Sequence, residues 1–72
     1  MRNIAEFDGI LLFESANRYY LQYDAGAHMI KIKNLEITAE EVKNILKSED
    51  SAQAVYDIII RYQNKGIYGE DA

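Results

Sequence analysis

The first half of the chain alternates between apolar and polar positions, a period of two that is typical of half-buried β-strands. Three strands are predicted, at about Asp8 to Glu14, Arg18 to Asp24 and Ala27 to Lys33. A three-residue loop, Ser15 to Asn17, joins the first two, and a tight turn at Ala25 and Gly26 joins the second to the third. Strands with such short connections pair with their neighbours, so the sequence predicts an antiparallel meander.

The predicted loop lengths decide which residues lie opposite one another. They place Phe13 opposite Tyr19, Leu12 opposite Tyr20 and Tyr23 opposite His28. One face of the sheet then collects Leu11, Phe13, Tyr19, Leu21, Tyr23, His28, Ile30 and Ile32. A one-residue slip would turn this apolar set to solvent, so we expect it to form the core face.

The first predicted helix has a well-marked start. Thr38 and Glu41 have the spacing of a capping box, and Ile37 and Val42 have the spacing of a hydrophobic staple. Apolar residues continue at helical spacing along the segment that follows. The sequence therefore predicts a helix from the Thr38 cap to about Lys47.

A second helix is predicted from about Ala52 to Lys65. Asp50 or Ser51 is its expected N-cap, and Gly66 suits the left-handed position beyond its end. Strands followed by helices indicate an α+β fold, a three-stranded antiparallel meander followed by two α-helices packed on one sheet face (βββαα). We expect one domain over residues 1–72, with a frayed tail at 68–72.

Composition narrows the class of protein. With 72 residues the chain is short for more than one domain, and without cysteine it has no disulfides and no cysteine ligands for a metal. A hydrophobic fraction of 49% is too high for a disordered chain, and no apolar run approaches the length of a membrane span. Glu6 and Asp8 interrupt the N-terminal segment where a signal peptide would be apolar. We therefore expect a cytoplasmic protein.

The formal net charge of −4 belongs to the second half of the chain. Residues 1–34 hold four cationic and four acidic side chains, whereas residues 35–72 hold four cationic and eight acidic ones. An acidic half repels phosphate and attracts basic surfaces, so we expect a larger protein partner, such as one with a basic nucleic-acid-binding surface. The candidate contact residues on the acidic helical face are Glu36, Glu40, Glu41, Glu49, Asp50 and Asp57.

The chain holds little that catalysis could use. It has one histidine, His28, which the predicted register packs against the core, and no nucleophile elbow, HExxH motif or phosphate-binding loop. Neighbouring acids on a helix point about 100° apart and do not converge on a metal. We therefore expect no enzymatic activity, no cofactor and no metal site.

The second face of the predicted sheet is the other candidate site. The predicted register places an apolar patch there with cations at its border, and such patches mark partner contacts. The candidate residues are Ile10, Leu12, Arg18, Tyr20, Met29, Lys31 and Lys33. The alternative is that a terminal segment, residues 4–7 or residues 67–68, folds over this face and covers it.

Together these features favour a non-enzymatic protein-interaction module. By analogy of size and charge, one hypothesis is an inhibitor or regulator of the kind that phages and mobile elements encode, such as an anti-CRISPR protein, that occludes a surface of a nucleic-acid-processing partner. The alternatives are a structural homodimer, joined through sheet faces or an edge strand, and a weak single-stranded nucleic-acid binder that uses the exposed sheet face.

Overall fold

The fold is α+β, with five antiparallel strands in one sheet and two helices. The computed structural model describes all residues from Met1 to Ala72. In chain order the elements are β1 (Arg2–Phe7), β2 (Ile10–Ser15), β3 (Arg18–Asp24), β4 (Ile32–Ile37), α1 (Ala39–Lys47), α2 (Ser51–Gln63) and β5 (Glu70–Asp71). The strands lie side by side in sequence order. Neither helix has the length and apolar character that crossing a membrane requires.

The hairpin of β2 and β3 has a shorter turn than predicted. Ala16 and Asn17 alone form it, with φ angles of 52° and 64°, the left-handed pair that suits the twist of two-residue hairpins. Ser15 therefore pairs with Arg18, and Leu12 pairs with Leu21. The predicted three-residue loop was wrong, and the one-residue difference reverses the faces of every β2 side chain.

The core consequently differs from the predicted one on β2. Ile10 and Leu12, not Leu11 and Phe13, join the apolar side chains of both helices. The buried cluster contains Ile10, Leu12, Leu21, Tyr23, Leu35, Ile37, Val42, Ile45, Val55, Ile58 and Ile59. The helices thus cover one face of the sheet, and the other face has no helix on it.

The fourth strand of the chain begins later than the third predicted strand. A seven-residue loop, Ala25–Lys31, precedes β4, and its residues His28 and Ile30 are exposed rather than on the core face. Leu35 and Ile37 take the core positions instead and are 1% and 4% exposed. Pairing β4 with β3 in this register buries the large side chains of Leu35 and Ile37 under the helices, which stabilises it.

Two further strands were not predicted. β1 joins the edge of β2, so residues 4–7 extend the sheet rather than cover its open face. β5 pairs with β4 in the segment expected to be frayed, and Lys33 Nζ lies 2.6 Å from Asp71 Oδ1. This contact lowers the pKa of Asp71. The Tyr23 hydroxyl also donates to the Tyr68 carbonyl at 2.8 Å, which holds the tail against the sheet.

The helix ends follow the predicted local chemistry. The backbone N–H of Glu41 donates to Thr38 Oγ1 at 3.1 Å, and the N–H of Thr38 donates to the Glu41 carboxylate at 2.9 Å, so the capping box is confirmed. Beyond α2, the Ile67 N–H donates to the Tyr62 carbonyl at 2.9 Å, with φ of +80° at Gly66. This is the 6→1 bond of a Schellman motif, as the position of Gly66 predicted.

Candidate functional site

The predicted sheet-face site does not assemble. Its members are dispersed because the β2 faces are reversed and the third predicted strand is mostly loop. Ile10 and Leu12 are 6% and 0% exposed in the core, and Lys33 lies opposite Tyr23 with its ammonium on Asp71. Met29 and Lys31 belong to the loop, which leaves only Arg18 and Tyr20 on the open sheet face.

The open sheet face is occupied by contacts among its own side chains. Phe13 and Tyr20 stack, with ring centroids 5.2 Å apart and planes 20° from parallel. Next to them the Gln22 side-chain amide donates to Asn34 Oδ1 at 2.9 Å. Phe13 is only 5% exposed as a result. These stacking and hydrogen-bonding contacts therefore engage part of the open sheet face.

The six predicted acidic residues are spread over β4, both helices and the turn between the helices. Asp50 accepts the backbone N–H of Gln53 as the cap of α2, and Asp57 accepts the side-chain amide of Gln53 at 2.9 Å. Glu36 lies 3.4 Å from Arg18 on the opposite side of the sheet from the helices. Glu40 and Glu49 are exposed. No group of three or more acidic or histidine side chains converges closely enough to hold a metal ion.

Among the predicted acidic residues, Glu41 accepts the most hydrogen bonds from other side chains and from the backbone. Besides its cap bonds, its carboxylate accepts from Arg61 at 2.6 Å and from the Tyr62 hydroxyl at 2.7 Å, so it ties α1 to α2. Burial alone would raise the pKa of Glu41, but the hydrogen bonds from Thr38, Tyr62 and Arg61 outweigh it and hold that pKa below 4.5. Burial and the carboxylate together raise the pKa of Tyr62 to about 12. This carboxylate therefore has a structural role.

The largest concave surface lies between the β3–β4 loop and α2, and we call it the loop-helix groove. Its volume is about 460 Å³. Seven of its twelve lining residues are hydrophobic. The lining consists of Asp8, Gly9, Ile10, Tyr23, Asp24, Ala25, Gly26, Ala27, Tyr56, Ile59, Ile60 and Gln63. Asp8 and Asp24 are the only charged residues among them, so the groove is apolar with an acidic rim.

The loop beside this groove is held by Asp24. Asp24 Oδ1 accepts the backbone N–H groups of Lys31 and Gly26, each at 2.9 Å, and these bonds lower the pKa of Asp24. The Ala25 N–H also donates to the Lys31 carbonyl at 2.9 Å. The bonds close the loop at its base and leave Met29 and Ile30 at 75% and 80% exposure. The loop thus presents two large apolar side chains, which we call the loop tip.

Gly26 is expected to be required for this loop. A Cβ at Gly26 would overlap the carbonyl oxygen of Met29, so Gly26→Ala forces the loop to rearrange. We expect a loss of about 1–3 kcal/mol in unfolding free energy, the cost of overpacking, with amide NMR shifts concentrated in residues 25–31. Ala27→Ser, an exposed change in the same loop, is the control. Unchanged loop resonances in Gly26→Ala would contradict the geometry.

The sequence did not indicate the groove because three separate stretches of the chain build it: the β1–β2 turn with the start of β2, the end of β3 with the loop that follows, and α2. One local pattern pointed to the loop, since an Asp at a strand end followed by Gly commonly caps a turn with its side chain. The groove and the exposed loop tip are therefore the candidate site that the structure adds. Comparisons with protein-family models, with curated proteins and with solved structures found no match for this chain.

Proposed function

We propose that this chain is a non-enzymatic protein-interaction module whose contact surface is the loop-helix groove together with the loop tip. The observation that carries the proposal is the position of the exposed apolar side chains. Nine large hydrophobic residues are exposed, and Met29, Ile30, Tyr56 and Ile60 are four of them. Tyr56 and Ile60 line the groove, and the loop that forms its opposite wall leads to Met29 and Ile30. Exposed apolar patches of this kind mark contact sites.

The rim of the groove favours a partner segment of defined chemistry. Its only charged groups, Asp8 and Asp24, are acidic and exposed. Apolar side chains flanked by cationic ones would fill such a groove and meet opposite charge at its edge. The hypothesis of an inhibitor that covers a basic surface of a nucleic-acid-processing protein is one form of this proposal, and the net charge of −4 favours it.

Two other expected modes, pairing through an edge strand and nucleic-acid binding on the open sheet face, have less support. Pairing through the free edge of β1 is disfavoured because the register shifts between Asn3 and Ala5, and such irregularities hinder strand addition. Nucleic-acid binding on the open sheet face is disfavoured because Arg18 contacts Glu36 and the Phe13 ring is 5% exposed.

His28, the one histidine, is exposed on the loop, where no packing fixes its ring for catalysis.

Site-specific photo-cross-linking tests the proposal. A photoreactive amino acid in place of Ile60, 52% exposed at the groove, is expected to give a discrete protein adduct in cells that carry the gene. The same amino acid in place of Leu46, 55% exposed on α1 and outside the groove, is the matched control. We expect Tyr56→Ser to reduce the Ile60 adduct. An adduct equally strong from both positions, or from neither, would argue against a groove-specific partner.

A further inference from the structure

We propose that the loop-helix groove binds the loop tip of a second copy of this chain, so that two copies form a two-fold symmetric dimer. The inference rests on the proposed function, since it names the partner of the same surface. It rests on the chemistry of the loop tip, on the chemistry of the groove, and on the fact that one loop carries the tip and lines the groove.

The loop tip has the chemistry that the groove favours. Met29 and Ile30 lie in sequence between His28 and the cationic Lys31, so the apolar pair is followed by one positive charge. Apart from Gly9, Gly26 and Gln63, the uncharged lining of the groove is apolar, and both charges at its rim are carboxylates. Both carboxylates are exposed, and Asp24 Oδ1 already accepts two backbone N–H groups of its own loop. A second copy thus supplies both the apolar and the charged complement.

The loop tip does not fill the groove of its own chain. Ala25, Gly26 and Ala27 form one wall of that groove, whereas Met29 and Ile30 remain 75% and 80% exposed. The Asp24 hydrogen bonds hold the base of the loop before any partner binds. A preformed projection loses less conformational entropy on binding than a mobile one, which favours association.

The arrangement is compatible with two-fold symmetry. In such an interface each copy uses the same surface, and residue contacts occur twice. Here one loop carries an exposed apolar pair and also lines an apolar groove, so in the proposed dimer each loop tip enters the groove of the other copy. The groove, at about 460 Å³, has the size of pockets that enclose small ligands, and two side chains are smaller than such ligands.

Analytical ultracentrifugation from micromolar to millimolar concentration tests the dimer. We expect reversible dimerisation by the wild-type chain. Changing the loop tip by Met29→Asp and Ile30→Asp together, or the groove by Ile60→Asp, is expected to raise the dissociation constant at least about tenfold, the scale of one exposed apolar contact. Leu46→Asp, the same kind of change on an equally exposed side chain, is expected to leave dimerisation unchanged. A circular dichroism melt confirms that each variant is folded.

Mixing the variants distinguishes insertion of the loop tip into the partner's groove from nonspecific association. The Met29→Asp, Ile30→Asp variant keeps its groove, and the Ile60→Asp variant keeps its loop tip. An equal mixture is expected to associate more strongly than either variant alone, because one intact contact is available in the mixed pair. Association of the mixture no stronger than that of the separate variants would overturn the proposal.

A monomeric wild-type chain at millimolar concentration would also overturn the dimer. The proposed function would survive that result if photo-cross-linking from Ile60 still gave an adduct with another protein. If the Ile60 adduct is a cross-linked pair of this chain, both proposals are supported together. The absence of any groove-specific adduct with a monomeric chain would defeat both.

Discussion

Replacing Leu12 with alanine is expected to lower the free energy of unfolding by about 2–5 kcal/mol, the range for leucines in protein cores. Leu12 is 0% exposed and lies opposite Leu21 in the buried cluster beneath the helices. Cores of domains this small rarely supply more than about 3–5 kcal/mol of net stability. The variant is therefore expected to be largely unfolded at room temperature, as urea titration followed by circular dichroism would show.

The neighbouring Leu11→Ala variant is the matched control. Leu11 has the same side chain on the same strand but lies on the open sheet face, opposite Gln22, and is half-buried. We expect it to cost about half as much or less, because less apolar area returns to water. With the predicted three-residue loop, Leu11→Ala would have been expected to cost more stability than Leu12→Ala. A larger loss for Leu11→Ala than for Leu12→Ala would contradict the observed register.

Replacing Glu41 with alanine is expected to cost about 2–3 kcal/mol at neutral pH, the sum of a lost cap and an unpaired hydroxyl. The change removes the acceptor of Thr38 at the start of α1 and of Arg61 and Tyr62 on α2. Glu40→Ala changes an exposed acid in the same helical turn and is expected to cost well under half as much. Equal losses in the two variants would mean that the network adds nothing beyond the helix dipole.

The same network predicts how stability depends on pH. Because the pKa of Glu41 is lower in the folded chain than its ordinary 4.5, its contribution is present above pH 4.5 and is lost as the pH falls through the folded pKa. The pKa of Tyr62 is raised to about 12 from an ordinary 10.0, so its contribution is present below pH 10.0 and is lost as the pH rises towards 12.

Unfolding free energies measured from acid to alkaline pH test both predicted losses of stability. Glu41→Ala is expected to reduce the loss of unfolding free energy at acid pH relative to the wild-type chain. Tyr62→Phe is expected to reduce the loss at alkaline pH, while the acid loss that comes from other carboxylates remains. Tyr56→Phe, which alters a more exposed tyrosine on α2, is the control for the loss at alkaline pH. A wild-type alkaline profile unchanged by Tyr62→Phe would contradict the raised pKa.

The candidate site could be predicted only in part from the pattern of residues. The sequence correctly placed Arg18 and Tyr20 together on the sheet face away from the helices, because β3 has the predicted bounds. It also singled out Met29 and Lys31 as contact residues, and the dimer experiment tests Met29, although in a loop rather than on a sheet face. The groove itself joins residues from the turn at Asp8, the loop after Asp24 and the middle of α2. Their proximity depends on packing, which periodicity does not describe.

The sequence by itself determined the parts of the fold that depend on local chemistry. The Thr38 and Glu41 capping box and the Gly66 stop follow from interactions within a few residues, and the bounds of β3 match the alternating segment between two turn signals. Tertiary structure alone decided the face of β2, because both alternating sets of that strand are apolar, Ile10 with Leu12 and Leu11 with Phe13. The two-residue turn pairs Leu12 with Leu21, so Ile10 and Leu12 lie on the sheet face that the helices cover.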